Sequence, residues 1–160
     1  MNQRIIISLL TFALATNCYA KANPVKTPPP LKGSEVHVYK EASNSKLILN
    51  VFSPEDHNPK KDNLPAVVFF FGGGWVGGSS KQFQPHCEYL ASRGMVAISA
   101  DYRVKSRQGT TPFDCVRDGK SAVRWIRANA GKLGIDTDRI AAGGGSAGGH
   151  VAAATGNLQG

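Results

Sequence analysis

The segment Ala66-Val67-Val68-Phe69-Phe70-Phe71 is apolar at every position, and Gly72-Gly73-Gly74 follows it at once. A strand with one wet face alternates apolar and polar residues, so an unbroken run marks a strand covered on both faces. Met95-Val96-Ala97-Ile98-Ser99 repeats the pattern. Between them, Phe83, Cys87, Leu90 and Ala91 fall at helical spacing, with Gly94 placed as a helix stop. A second helix is predicted from Thr111, which can cap it, through Pro112 and Asp114 in its first turn. Its apolar stripe is Val116, Val123, Ile126, Ala130 and Leu133. Arg139-Ile140-Ala141-Ala142 reads as a short strand, and an Ala-rich helix begins at Ser146. Ahead of this series, Val36 to Tyr39 and Lys46 to Phe52 read as a hairpin turning at Asn44-Ser45, followed by a polar loop from Ser53 to Leu64. A hairpin followed by alternating strands and helices predicts an α/β fold with parallel strands and helices on both faces.

The first twenty residues stand apart. Arg4 precedes an apolar run from Ile5 to Ala15, too short to span a bilayer and suited to the core of a signal peptide. Cys18 and Ala20 occupy the small positions before a cleavage point. Residues 1–20 are therefore expected to be a cleaved signal, giving a secreted or periplasmic protein without a stable membrane anchor. Residues 21–33, with Pro28-Pro29-Pro30, are expected to be an extended linker, and 34–160 the folded domain. Export permits a disulfide. However, Cys87 and Cys115 belong to helices expected on opposite sheet faces, so buried free thiols are predicted.

A chain of 160 residues with 41% apolar content supports one domain with a real core. Its net charge of +8 is spread from Lys21 to Arg139 without a basic run or interleaved aromatics, so no nucleic-acid partner is expected. The three cysteines and four histidines show no metal-ligand spacing. No phosphate-binding loop is read, and no cofactor is expected.

The chemistry concentrates at Gly144-Gly145-Ser146-Ala147-Gly148, a G-x-S-x-G pentapeptide with a strand before it and a helix after it. A serine on so sharp a turn has a strained backbone and an exposed hydroxyl. Side chains at Gly144 and Gly148 would collide with neighbouring elements. The helix that follows points its positive end at the site. The Gly72-Gly73-Gly74-Trp75 loop closes the earlier buried strand, so both glycine features fall at one sheet edge, where open α/β sheets place their sites.

Phe69 to Trp75, Ser99 to Arg103, the Asp118 to Arg127 helix and Ile135 to His150 together resemble the carboxylesterase and lipase-like branch of the α/β-hydrolases. That branch includes hormone-sensitive-lipase-like and acetyl- or feruloyl-esterase-like enzymes, and the resemblance runs from Val36 to Gly160. It implies that Ser146 is the nucleophile, that the N–H groups of Gly73, Gly74 and Ala147 form the oxyanion hole, and that a small-molecule or polysaccharide-linked ester is the substrate. One departure is Phe71, where many relatives carry a histidine that supports the loop. In this fold the triad acid and histidine follow the serine. Residues 147–160 contain no Asp or Glu and one histidine, His150, one turn below Ser146. The chain is thus expected to stop before the triad acid and base. His37, His57 and His86 precede the serine with nothing to place them in the site. Asp101 and Asp118 are expected to be structural, Asp118 through the helix dipole, and Asp136 and Asp138 to form a turn.

Two other readings compete. Gly72 to Gly77 also fits G-x-G-x-x-G after a strand, with Asp101 ending the next strand, which is the dinucleotide-binding pattern. Trp75 would crowd a pyrophosphate there, and Ser146 would be unexplained. The other is an inactive truncated homologue or binding module, whose last strand would be an open, aggregation-prone edge.

Overall fold

The structure, a computed structural model, describes residues 27–157. The expected signal peptide, Cys18 and the first part of the expected linker lie outside that range. Among the described residues no helix is long and apolar enough to cross a membrane.

Strands β1 (Glu35–Ala42) and β2 (Ser45–Phe52) form the antiparallel hairpin. Its two turn residues are Ser43 and Asn44, both with positive φ (51° and 56°), one position earlier than the sequence suggested. Positive φ at both central residues matches the right-handed twist of a two-residue hairpin. β3 (Leu64–Phe70), β4 (Val96–Ala100) and β5 (Ile135–Gly144) complete one sheet in the order β1-β2-β4-β3-β5. β3 pairs in parallel with both β4 and β5, and β2 joins β4 antiparallel, so the sheet is mixed.

β3 and β4 divide their apolar side chains by period two. Ala66, Val68, Phe70, Val96, Ile98 and Ala100 face the larger core, under α3 (Pro112–Ala128) and α5 (Ala147–Asn157). Val67 and Ala97 face a smaller core under α1 (Gln84–Ala91), with Cys87 and Ala91. Leu31 packs on this second face, and its N–H donates to Asn50 Oδ1 at 3.0 Å. A four-residue helix, α2 (Lys105–Gln108), ends at Gly109.

The stripe read as one helix is two. Asn129 leaves helical geometry, and its side-chain amide donates to the Trp125 carbonyl at 2.8 Å, so Ala130 and Leu133 belong to α4 (Ala130–Leu133). β5 is longer than predicted because it begins at Ile135. Its register against β3 slips between Ile135 and Ile140, and Asp138 N–H donates to Asp136 Oδ1 at 3.0 Å across the irregularity. The turn read at Asp136 and Asp138 is thus a bulge inside the strand. Among the described residues β5 pairs only with β3, and Ala141 and Ala142 are exposed on it.

Cys87 and Cys115 are buried, free and on opposite faces of the sheet. Burial pushes the Cys87 thiol up to about 12 and that of Cys115 up to about 11. A thiolate, not a thiol, is the nucleophile. Neither cysteine should therefore take up maleimide at pH 7.5 in the folded protein, and both should do so in 6 M guanidinium. Peptide mapping checks this, and native labelling of Cys87 would contradict the packing.

The start of α3 matches its sequence signal. Asp114 Oδ2 accepts from the Thr111 N–H at 3.0 Å and from its hydroxyl at 2.8 Å. The backbone donor first, then the hydroxyl, hold the Asp114 carboxyl below its ordinary range. Because the folded-state value is depressed, the stability it lends is present above the unfolded value, about pH 4, and is lost as pH falls through the folded value. Asp114→Asn is expected to cost about 1 kcal/mol at pH 7. The gap between its melting temperature and that of the parent protein should narrow as pH falls below about 4. A gap that stays constant from pH 7 to pH 3 would contradict the charge argument.

Candidate active site

Strand register builds this site. Phe70 pairs with Ala100 on one side and with Gly144 on the other, so three parallel strands end together. The residues after those ends, Phe71-Gly72, Asp101 and Gly145-Ser146, come to one edge. A Cβ built on Gly72 would lie 2.8 Å from the Gly145 carbonyl oxygen and 3.5 Å from Ser146 Cβ. The two glycine features singled out in the sequence therefore touch.

Ser146 is exposed and has φ +51°, in the left-handed region that a non-glycine residue adopts at a cost of about 1–3 kcal/mol. The turn is held by contacts that exclude side chains. A Cβ on Gly144 would lie 2.5 Å from the Phe70 carbonyl oxygen, and one on Gly148 would overlap that same oxygen. α5 begins at the buried Ala147, whose N–H has no intrahelical acceptor because it is in the first turn. Gly73 and Gly74 have φ of +135° and +61°. The Gly73 carbonyl accepts from Val76 N–H at 3.0 Å and Gly77 N–H at 3.1 Å. Among the described residues, no acceptor takes the N–H of Gly73 or Gly74.

Phe71 is fully buried and supports the loop as an apolar group. Its ring stacks on Tyr102 at 4.1 Å, the Arg107 guanidinium lies 5.9 Å from its centre, and its carbonyl accepts from the Tyr102 hydroxyl at 2.5 Å. Gly72 N–H donates to Gln82 Oε1 at 2.6 Å. Asp101 braces from beneath. Its carboxylate takes two bonds from Arg107, at 2.8 and 3.2 Å, and its carbonyl takes the Tyr39 hydroxyl at 2.7 Å. Burial pushes the Asp101 carboxyl up, and Arg107 draws it back.

The histidines are dispersed. His150 donates its N–H to the Ser146 carbonyl at 3.1 Å, and its ring meets Trp75 edge to face at 5.5 Å, so it packs one turn below the hydroxyl. His57 has a carboxylate partner, Asp62 at 2.9 Å. Its other nitrogen lies 2.9 Å from the Leu133 carbonyl, at the entry to β5 and the opposite end of the sheet from Ser146. His86 packs against Phe83 and Phe69, and His37 against Trp125.

Asp118 is structural, but not through a helix dipole. It is fully buried and takes Arg103 Nε at 2.8 Å, Arg103 Nη2 at 2.9 Å and Lys40 Nζ at 2.7 Å. Sequence spacing gave no sign of this, because Lys40 lies far away on the hairpin. Gly119-Lys120-Ser121 carries the last letters of a phosphate-binding loop, although no such loop is expected from the sequence. It lies inside α3, where the backbone N–H groups are used by the helix. Among the described residues no group of three His, Cys, Asp or Glu could hold a metal ion.

A hairpin feeding a mixed sheet in this strand order, with a strained serine between β5 and α5 and a glycine loop against it, defines an α/β-hydrolase. Residues 49–160 match the BD-FAE family, and the chain belongs to it. Carboxylesterase NlhH of Mycobacterium tuberculosis is 36% identical over 100 residues, covering 61% of this chain and 30% of that one. An arylesterase of Saccharolobus solfataricus is 38% identical over 112 residues, covering 68% and 34%. A thermophilic esterase of Thermogutta terrifontis, solved with propionate bound, superposes with a TM-score of 0.77 at 56% identity, covering 79% of this chain and 46% of that one. The same esterase is also known phosphorylated by paraoxon, at a TM-score of 0.76 and 55% identity. The chain thus spans about a third of the two curated relatives and under half of the solved esterase.

Proposed function

We propose that Ser146 is the nucleophile of a carboxylic ester hydrolase that works through an acyl-enzyme. The observation that carries this reading is the positive φ of Ser146 on the β5–α5 turn, with Gly72 packed against it. The hydroxyl attacks the ester carbonyl, the alcohol leaves, and water releases the acid. The N–H groups of Gly73, Gly74 and Ala147 receive the oxyanion as it develops. A donor of this kind contributes about two to three orders of magnitude in rate. That the Thermogutta esterase is phosphorylated by paraoxon supports an activated nucleophile in a close relative. We read the triad acid and base as lying outside these 160 residues. In the described residues His150 is turned to Trp75, and the His57–Asp62 pair sits at the far end of the sheet.

The 160-residue chain alone is therefore expected to hydrolyse 4-nitrophenyl acetate no faster than its Ser146→Ala variant. Turnover that depends on Ser146 would overturn the placement of the acid and base. The export expected from residues 1–20 is proposed with the same reading, and the mass of the mature secreted protein tests it.

A further inference from the structure

An open cleft of about 340 Å³ lies beside the site, lined by Trp75, Pro112, Phe113, Val116 and His150. Its walls come from elements that also build the site. Trp75 follows the glycine loop that touches Ser146, and His150 hydrogen-bonds the Ser146 carbonyl from the first turn of α5. The opposite wall is the first turn of α3. Phe113 stands there 76% exposed, an expensive place for an aromatic ring unless something covers it. Val116 is half-buried against the main core, so this wall is fixed. Trp75 Nε1 is buried with no acceptor among the described residues, although indole N–H groups are ordinarily paired when buried.

We infer that this cleft is the subsite for a compact apolar group of the ester, on its acyl or its alcohol side, and that Phe113 is a specificity-determining residue. The inference rests on the ester-hydrolase reading of Ser146. A dry cavity of about 150 Å³ suffices to hold benzene, so a volume about twice that admits a substituted ring or a short branched chain even with one side open. The remaining wall residues are apolar apart from His150, whose ring packs edge to face with Trp75. A charged or strongly hydrated group would lose water there without gaining partners.

The test titrates 4-fluorobenzyl alcohol into the 160-residue chain and follows it by fluorine NMR. Saturable binding is expected, weakened at least about fivefold by Phe113→Ala, a change at an exposed position that leaves the fold intact. Tyr89→Ala, at another exposed aromatic on the α1 face, should not alter it. Non-saturable binding, binding indifferent to Phe113→Ala, or binding lost with Tyr89→Ala would overturn the subsite. Two bulky esters, one branched on the alcohol side and one on the acyl side, separate the two sides of the subsite from the chemistry at Ser146. In a protein carrying residues beyond Gly160 that supply an acid and a histidine, Phe113→Ala should lower kcat/KM for cyclohexyl acetate or for ethyl cyclohexanecarboxylate at least about fivefold more than for ethyl acetate. Paraoxon modification of Ser146 with no such selectivity would sink the subsite alone. Saturable, Phe113-dependent binding without Ser146 modification would remove the ester assignment and with it this role for the cleft.

Discussion

In a protein that carries an acid and a histidine beyond Gly160, Ser146→Ala is expected to lower ester hydrolysis by about four orders of magnitude or more, with thermal stability unchanged. The two halves of that expectation have different origins. On the proposed mechanism the rate falls because the covalent step loses its nucleophile, while the proposed backbone donors remain to receive the carbonyl oxygen. Stability holds because alanine keeps the Cβ and with it the cost of φ +51°. Ser146→Gly should be equally inactive and at least as stable as the parent, since glycine takes that conformation without a Cβ clash. Turnover with 4-nitrophenyl acetate and calorimetry on the three proteins check both halves. If Ser146→Ala retained a tenth of the parent rate, another residue would have to be the nucleophile.

Asp118→Ala should cost about 3–5 kcal/mol, enough to lower the melting temperature by about 10 °C. The carboxylate accepts from the Arg103 backbone N–H and side chain and from Lys40, and it is fully buried. Removing it leaves the Arg103 guanidinium, itself nearly buried, without its counter-charge. Lys40→Met is the control. The Lys40 side chain is about a quarter exposed and its ammonium can return to water, so its loss should cost under about 1 kcal/mol. Urea denaturation separates the two, and near-equal losses would show that the charge on Arg103 is not the dominant cost.

The contrast between these two residues shows what the sequence discloses. Ser146 announces itself locally, because the chemistry of a sharp turn dictates the residues within two positions of it. The unbroken apolar runs at β3 and β4, and the Thr111-Pro112-Asp114 start of α3, are local in the same way. Asp118 is not. Its partners Arg103 and Lys40 are brought to it only when the hairpin, β4 and α3 pack, and helix periodicity offered the dipole as a cheaper explanation. The break at Asn129 escaped notice because the apolar stripe continues in phase across it. The bulge in β5 escaped because Asp136 and Asp138 look like a turn whether or not a strand resumes around them. The cleft at Phe113 was invisible for a third reason: an aromatic beside a helix cap carries no period at all.

The position of β3 also bears on how the chain is made. It is the most apolar strand, and it pairs on both sides with strands that come later, β4 and β5. A ribosome releases residues in order, so β3 emerges with both edges unsatisfied. The β4 side can close once residue 100 is out, but the other must wait for residue 144. For that interval the emerging chain presents an open apolar ribbon, a surface prone to unwanted strand pairing. The pairing of β3 with β5 is therefore the later of its two closures, and until it forms β3 keeps one bare apolar edge.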